Sequence, residues 1–139
     1  MRSGLIAVIA TGLGLLASTA PTRAHHSFAA EFDRNLPVTV TGAVTKVEWA
    51  NPHARFYIDA KDESSGETVN WDFELASPNG LMRRGWTRNS MKIGDVVTVT
   101  GHRAKNHPHV GNASTVTMAD GKRLFAGSSG DVGGEGSGQ

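Results

Sequence analysis

The sequence predicts an all-β domain: a small OB-like barrel of five or six strands with one short helix between strands three and four. Three observations point there. Short runs of alternating apolar and polar residues recur between Gly, Pro, Asn and Asp signals. One helix-start signal, Ser77-Pro78, interrupts them after the third run. The first run is long and carries Gly42 in its middle, as a strand bent to serve two sheets requires. An open β-sandwich is the alternative built from the same elements.

The elements follow in order. Residues 37–49, PVTVTGAVTKVEW, alternate with a slip at Gly42, which predicts a bulge or sharp bend there. Asn51-Pro52 is a turn signal, and 53–60, HARFYIDA, reads as the second strand. The polar stretch 62–66 ends in Gly and predicts a hairpin loop. In 68–75, TVNWDFEL, Val69, Trp71, Phe73 and Leu75 share one face, while Asn70, Asp72 and Glu74 share the other. Ser77 as cap and Pro78 at the first helical position start a helix that Gly85 cuts short. Residues 96–103 form the fourth strand, 106–111 a loop, 113–118 the fifth strand, and 122–126 a short sixth strand.

The two ends read differently from this body. Met1-Arg2-Ser3 is followed by an uncharged apolar run, residues 4–17, too short for a bilayer span of about 20 residues. A basic start, an apolar middle and small residues at 22–24 predict a signal peptide over 1–24, cut after Ala24. The expected organisation is a cleaved leader (1–24), an N-terminal segment (25–36), the barrel domain (37–126) and a disordered tail (127–139). Six of the last 13 residues are Gly, and almost none is apolar.

Cleavage at that point leaves 115 of the 139 residues, beginning at His25. It also removes Arg2 and Arg23, so 12 basic residues face 13 acidic ones. A near-neutral exported domain lacks the clustered cations that nucleic acid demands. The expected location is periplasmic or secreted, with no membrane-embedded segment after cleavage. The chain has no cysteine, which excludes thiolate catalysis, thiolate metal sites and a lipoprotein anchor.

Six histidines, His25, His26, His53, His102, His107 and His109, all fall in the expected mature part. Imidazole suits copper, zinc, nickel and iron. An N-terminal His25 presents its α-amine and its ring Nδ1 to one metal, and a second imidazole completes a three-nitrogen set. That set suits Cu(II). Both His25 groups must be deprotonated, so binding is expected to weaken below about pH 6. The second imidazole is expected from His53 or from His102, His107 or His109. His26 is constrained by its neighbour and fits only a looser site.

Each of these histidines also has a plainer meaning. His25-His26 can be a solvated leader. His107 and His109, flanking Pro108, can be polar loop residues. His102 reads as a hydrogen-bonded residue at a barrel edge, and His53 as a ring that supports the Asn51-Pro52 turn.

Trp49, Trp71 and Trp86, with Phe56, Tyr57 and Phe73, read first as core, with Trp86 closing one end. A ligand pocket beside Asn51 is the functional alternative. Glu48, Asp72 and Glu74 read as a solvated strand face, and Arg83, Arg84 and Arg88 as a solvated helix face. No phosphate loop, nucleophile elbow, metalloprotease pattern or dinucleotide fingerprint is present, and no catalytic residue is assigned.

Four stretches together resemble one family: AHHSFAAEFD (24–33), TGAVTKVEWANPH (41–53), LMRRGWTRNSMKIGDVVTVTG (81–101) and KRLFAGSS (122–129). It is a family of small exported bacterial proteins catalogued as a domain of unknown function. The resemblance implies export and a single domain; it implies no activity, cofactor or site. The expected function is therefore a non-enzymatic binding module, its sharpest form binding copper through His25. The alternatives are a structural or protein-interaction domain with incidental histidines and, behind it, a copper oxidase-like enzyme.

Overall fold

The computed structural model describes residues 28–127. The expected leader, His25 and His26, and the tail from 128 lie outside the described residues. The elements are α1 (Phe28–Glu31), β1 (Phe32–Glu48), β2 (Arg55–Lys61), β3 (Thr68–Glu74), α2 (Pro78–Met82), β4 (Val96–Ala104), β5 (Val110–Met118) and β6 (Arg123–Phe125). The protein is all-β, its six strands ordered β3-β2-β1-β4-β5-β6, with a further pairing between β3 and β5. That pairing is parallel and joins Asp72, Phe73 and Glu74 to Val110, Gly111 and Asn112. The remaining pairings are antiparallel. Among the described residues no helix is long and apolar enough to cross a membrane.

β1 serves two neighbours. Residues up to Ala43 pair with β4, and those from Gly42 onward pair with β2. The strand starts at Phe32, five residues ahead of the expected Pro37, inside the stretch expected to be an N-terminal segment. Residues 33–36 carry no alternating signal; Phe32 holds the start by pairing with Ala104, both side chains being buried. The bulge expected at Gly42 lies instead between Val44 and Lys46. Gly42 stays in register, and its role is close approach: a Cβ there would sit 2.3 Å from the Asp59 carbonyl oxygen. At the bulge, the Val44 amide donates to the Asp95 carbonyl and the Gly94 amide to the Val44 carbonyl, both at 2.8 Å, so the turn ahead of β4 completes the ladder.

α2 forms where Ser77 and Pro78 predict it. The Ser77 hydroxyl accepts from the Gly80 amide at 3.2 Å, and the helix buries Leu81 completely. The inward faces of β1–β5 meet around Val44, Phe56, Ile58, Phe73, Leu75, Val97, Val99 and Val116. Phe56 and Trp71 both stack on Phe73, at 5.6 and 5.4 Å between ring centroids. Trp86 is buried, and its Nε1 donates to the Phe125 carbonyl at 2.8 Å. Trp49 and Trp71 pack half-buried against the same core. Together these contacts support the core reading of the three tryptophans.

Candidate functional site

Register partners on neighbouring strands share a face. One row on the outer face therefore runs Glu48, Arg55, Glu74, Asn112, His102, Pro37 across β1, β2, β3, β5, β4 and back to β1. The row has two chemically distinct halves.

The first half is an ion-pair network. Arg55 Nε and a terminal nitrogen donate to the two Asp72 oxygens at 2.9 and 3.0 Å, and its other terminal nitrogen donates to Glu74 at 3.1 Å. Burial pulls the guanidinium down, but the hydrogen bond and charge of Asp72, then Glu74, outweigh it and hold its pKa above the ordinary value. Tyr57 donates to Glu48 at 3.1 Å, and Lys46 pairs with the same carboxylate. The hydrogen bonds from Lys46, then Tyr57, keep the Glu48 carboxyl below its usual range. Asp72 and Glu74 were expected on a solvated face. They are instead clamped on a half-buried arginine that alternation alone did not single out.

His53 edges this network. Its Nδ1 donates to the Leu75 carbonyl at 3.0 Å, with a Glu74 oxygen 3.7 Å away. The ring ties the Asn51-Pro52 turn to the end of β3, as the plainer reading of His53 expected. The same bond places the proton on Nδ1 and leaves Nε2 as the accepting nitrogen. Asn51 itself is exposed beside this turn, at a cis Asn51–Pro52 bond.

The second half of the row is unsatisfied. Asn112 is 2% exposed. Among the described residues, its Oδ1 and the Nδ1 of His102 are buried with no hydrogen-bond partner. His102 was expected to be a hydrogen-bonded residue at an edge. β4 has neighbours on both sides, and the His102 ring is covered instead by Phe28, edge-on at 5.7 Å and 90°. Each unmet buried polar atom costs about 1–3 kcal/mol.

Phe28 is held over His102. It packs on Phe32 at 5.4 Å, and the Arg34 guanidinium lies 4.8 Å from its ring centre. The Lys105 amide donates to the Glu31 carbonyl at 3.0 Å, and the Lys105 ammonium to the Ala29 carbonyl at 2.5 Å.

The other histidines lie apart. The His109 ring meets Trp71 edge-on at 5.4 Å, while its carbonyl accepts from the Asp72 amide at 3.0 Å. Val110 pairs with Asp72, so His109 falls on the opposite face from Asn112. His107 is exposed in the β4–β5 connection. His53 and His102 are separated by β5 and β3, about 14 Å at ordinary strand spacing, too far to share one metal. Among the described residues, no three His, Asp or Glu side chains gather into a metal-binding group. The His102 ring packs against Phe28, the first described residue after His25 and His26.

Arg84 leaves the expected solvated helix face to donate to the Gly127 carbonyl, which secures the end of the described chain beside Trp86. Sequence reasoning passed over Asn112, because it fell between the expected loop and the expected fifth strand. It passed over Phe28 because the 25–36 segment carries no periodic signal.

Residues 13–113 match the model of a family of unknown function, DUF6152. The chain belongs to that family. The match covers α1 and every strand from β1 through the first part of β5, and so includes Phe28, His53, His102 and Asn112. No curated protein matches the chain.

Proposed function

We propose that this DUF6152 protein is an exported, non-enzymatic binding module. In this reading it is an OB-like barrel that holds Cu(II) at its mature N-terminus, in the periplasm or outside the cell. The helix between β3 and β4 and the parallel β3–β5 pairing support the OB-like reading over the sandwich. The apolar run before Ala24 supports export.

The observation that carries the metal reading is the contact between Phe28 and His102. His25 is three residues ahead of Phe28, so its Cα lies within about 11 Å of the Phe28 Cα by chain geometry. His102 is therefore a domain imidazole within reach of an N-terminal amine-and-imidazole chelate. His25 supplies its α-amine and Nδ1, His102 supplies the third nitrogen, and the donor set suits Cu(II).

The test takes protein exported by its own signal, its start fixed by intact mass, and titrates it with Cu(II) against a competing chelator. One tightly held equivalent is expected. A chain carrying one extra residue before His25, or the His25→Ala variant, loses it. If both bind copper as wild type does, the N-terminal site is refuted, and the histidines belong to an interaction domain in which they are incidental.

A further inference from the structure

The connection from α2 to β4 is pinned to the core at three points. Leu81, Trp86 and Met91, spaced five residues apart, are buried in one apolar cluster. A tight turn follows each of them. The Gly85 amide donates to the Met82 carbonyl at 3.1 Å, the Ser90 amide to the Thr87 carbonyl at 3.0 Å, and the Asp95 amide to the Lys92 carbonyl at 3.1 Å. A segment fastened inward at three points shows outward what lies between them. Here that is Met82, Arg83 and Arg84, then Arg88, then Lys92 and Ile93, all exposed.

Two properties coincide on these turns. Residues 77–94 contain four cations and no carboxylate. Arg84 donates to the Gly127 carbonyl, but Arg83, Arg88 and Lys92 have no carboxylate partner among the described residues. The ion pairs gather instead around Glu48, Asp72 and Glu74. The same turns expose apolar side chains, Met82 at 51% and Ile93 at 74%. Val96 and Phe125, the other large hydrophobics exposed among the described residues, adjoin them. Val96 follows the third turn, and the Phe125 carbonyl accepts from Trp86. Unpaired cations beside exposed apolar tips match a boundary where anionic headgroups lie over an apolar layer.

We infer that the α2–β4 connection docks this domain on an anionic phospholipid surface. Arg83, Arg88 and Lys92 meet the lipid phosphates, while Met82 and Ile93 enter the boundary of the acyl layer. The tips project rather than line a groove, so a soft layer receives them where a rigid partner would need three matching recesses. The buried anchors keep the tips in place, so docking costs little ordering of the chain. This inference does not depend on the copper reading. An acidic protein surface is the competing partner.

The experiment sediments the exported protein with phosphatidylcholine vesicles, with and without phosphatidylglycerol. Binding is expected only where phosphatidylglycerol is present, and release is expected at about 1 M salt, where screening shortens to about 3 Å. Arg83→Gln combined with Arg88→Gln is expected to weaken binding roughly 30-fold, about fivefold for each cation. Ile93→Ser is expected to weaken it about tenfold. Both changes lie on exposed tips, so melting should match wild type, and each variant decides without the other. Wild type that stays in solution with phosphatidylglycerol vesicles at low salt overturns the inference. So does binding that neither variant weakens, since the contact would then lie elsewhere. Capture by polyglutamate, with the vesicles ignored, overturns the lipid assignment in favour of an acidic protein partner.

Discussion

Gly101→Ala tests how closely β4 and β5 are pressed together beside the candidate site. Gly101 lies between Thr100 and His102, next to the register shift that separates Thr100 from Gly101 in the β4–β5 pairing. No left-handed φ is involved, so any penalty is steric. A Cβ at Gly101 would stand 1.8 Å from the Asn112 carbonyl oxygen and 2.9 Å from its carbonyl carbon. Both atoms are backbone, and no side chain can swing aside. Reaching ordinary contact at 3.4 Å means separating the strands by about 1.6 Å, which breaks about two ladder hydrogen bonds. Those bonds are worth about 1 kcal/mol each, and forced overpacking costs about 1–3 kcal/mol more.

The expected loss is therefore about 3–5 kcal/mol. For a domain of this size it lowers Tm by roughly 12–40 °C. Thermal unfolding followed by far-UV circular dichroism reads it. Gly66→Ala is the control: φ is +72° in the hairpin loop and nothing lies within 4 Å of the new Cβ. Only backbone strain of about 1 kcal/mol applies there, a fall of about 4–8 °C. A Gly101→Ala protein melting within about 3 °C of wild type would refute the close approach, and with it the packed geometry that buries Asn112.

Two further measurements address the ends of the sheet. Trp86→Phe keeps the ring in the core but removes the hydrogen bond to Phe125, so a loss of about 1 kcal/mol is expected. Hydrogen exchange should quicken at residues 123–127; unchanged protection there would show that β6 is held by other contacts. In the β2–β3 loop, the Asp62 carboxyl is held down from an ordinary 3.8 to about 2, first by the Ser64 hydroxyl, then by the amide and hydroxyl of Ser65. Because the folded value is the lower one, this contribution is complete above the ordinary range and is lost as pH falls towards 2. Ser64→Ala should raise the Asp62 midpoint in an NMR titration; a midpoint that stays near 2 would show that the Ser64 hydroxyl is not its main support.

Strand existence was legible because the sequence repeats one word. Thr-Val-Thr occurs at 39–41, 98–100 and 115–117, and the fold aligns all three. Val40, Val99 and Val116 face the core. The threonines pair outward, Thr41 with Thr98 at 2.8 Å between hydroxyl oxygens, and Thr100 with Thr115. Alternation states this without any tertiary information. Gly42 and Gly101 were legible only as irregularities. A glycine that admits a neighbouring backbone and one that marks a bulge look the same in one strand, and only the partner's carbonyl tells them apart.

The candidate site was half legible for a related reason. Residue type pointed to histidine, but the four described rings belong to different environments that only register separates. His53 is bonded to Leu75, His109 sits against Trp71 on the opposite face from Asn112, and His102 lies under Phe28. Asn112 carries no signal of its own, since an asparagine within a strand stretch reads as a turn residue until its partner across the sheet is known. The parallel β3–β5 pairing and the antiparallel β4–β5 pairing place it between Glu74, engaged with Arg55, and His102, whose Nδ1 has no hydrogen-bond partner. A domain that satisfies one polar neighbour fully and leaves the next two buried atoms unmet has put its cost in one place. That place lies beside Phe28, at the start of the described chain.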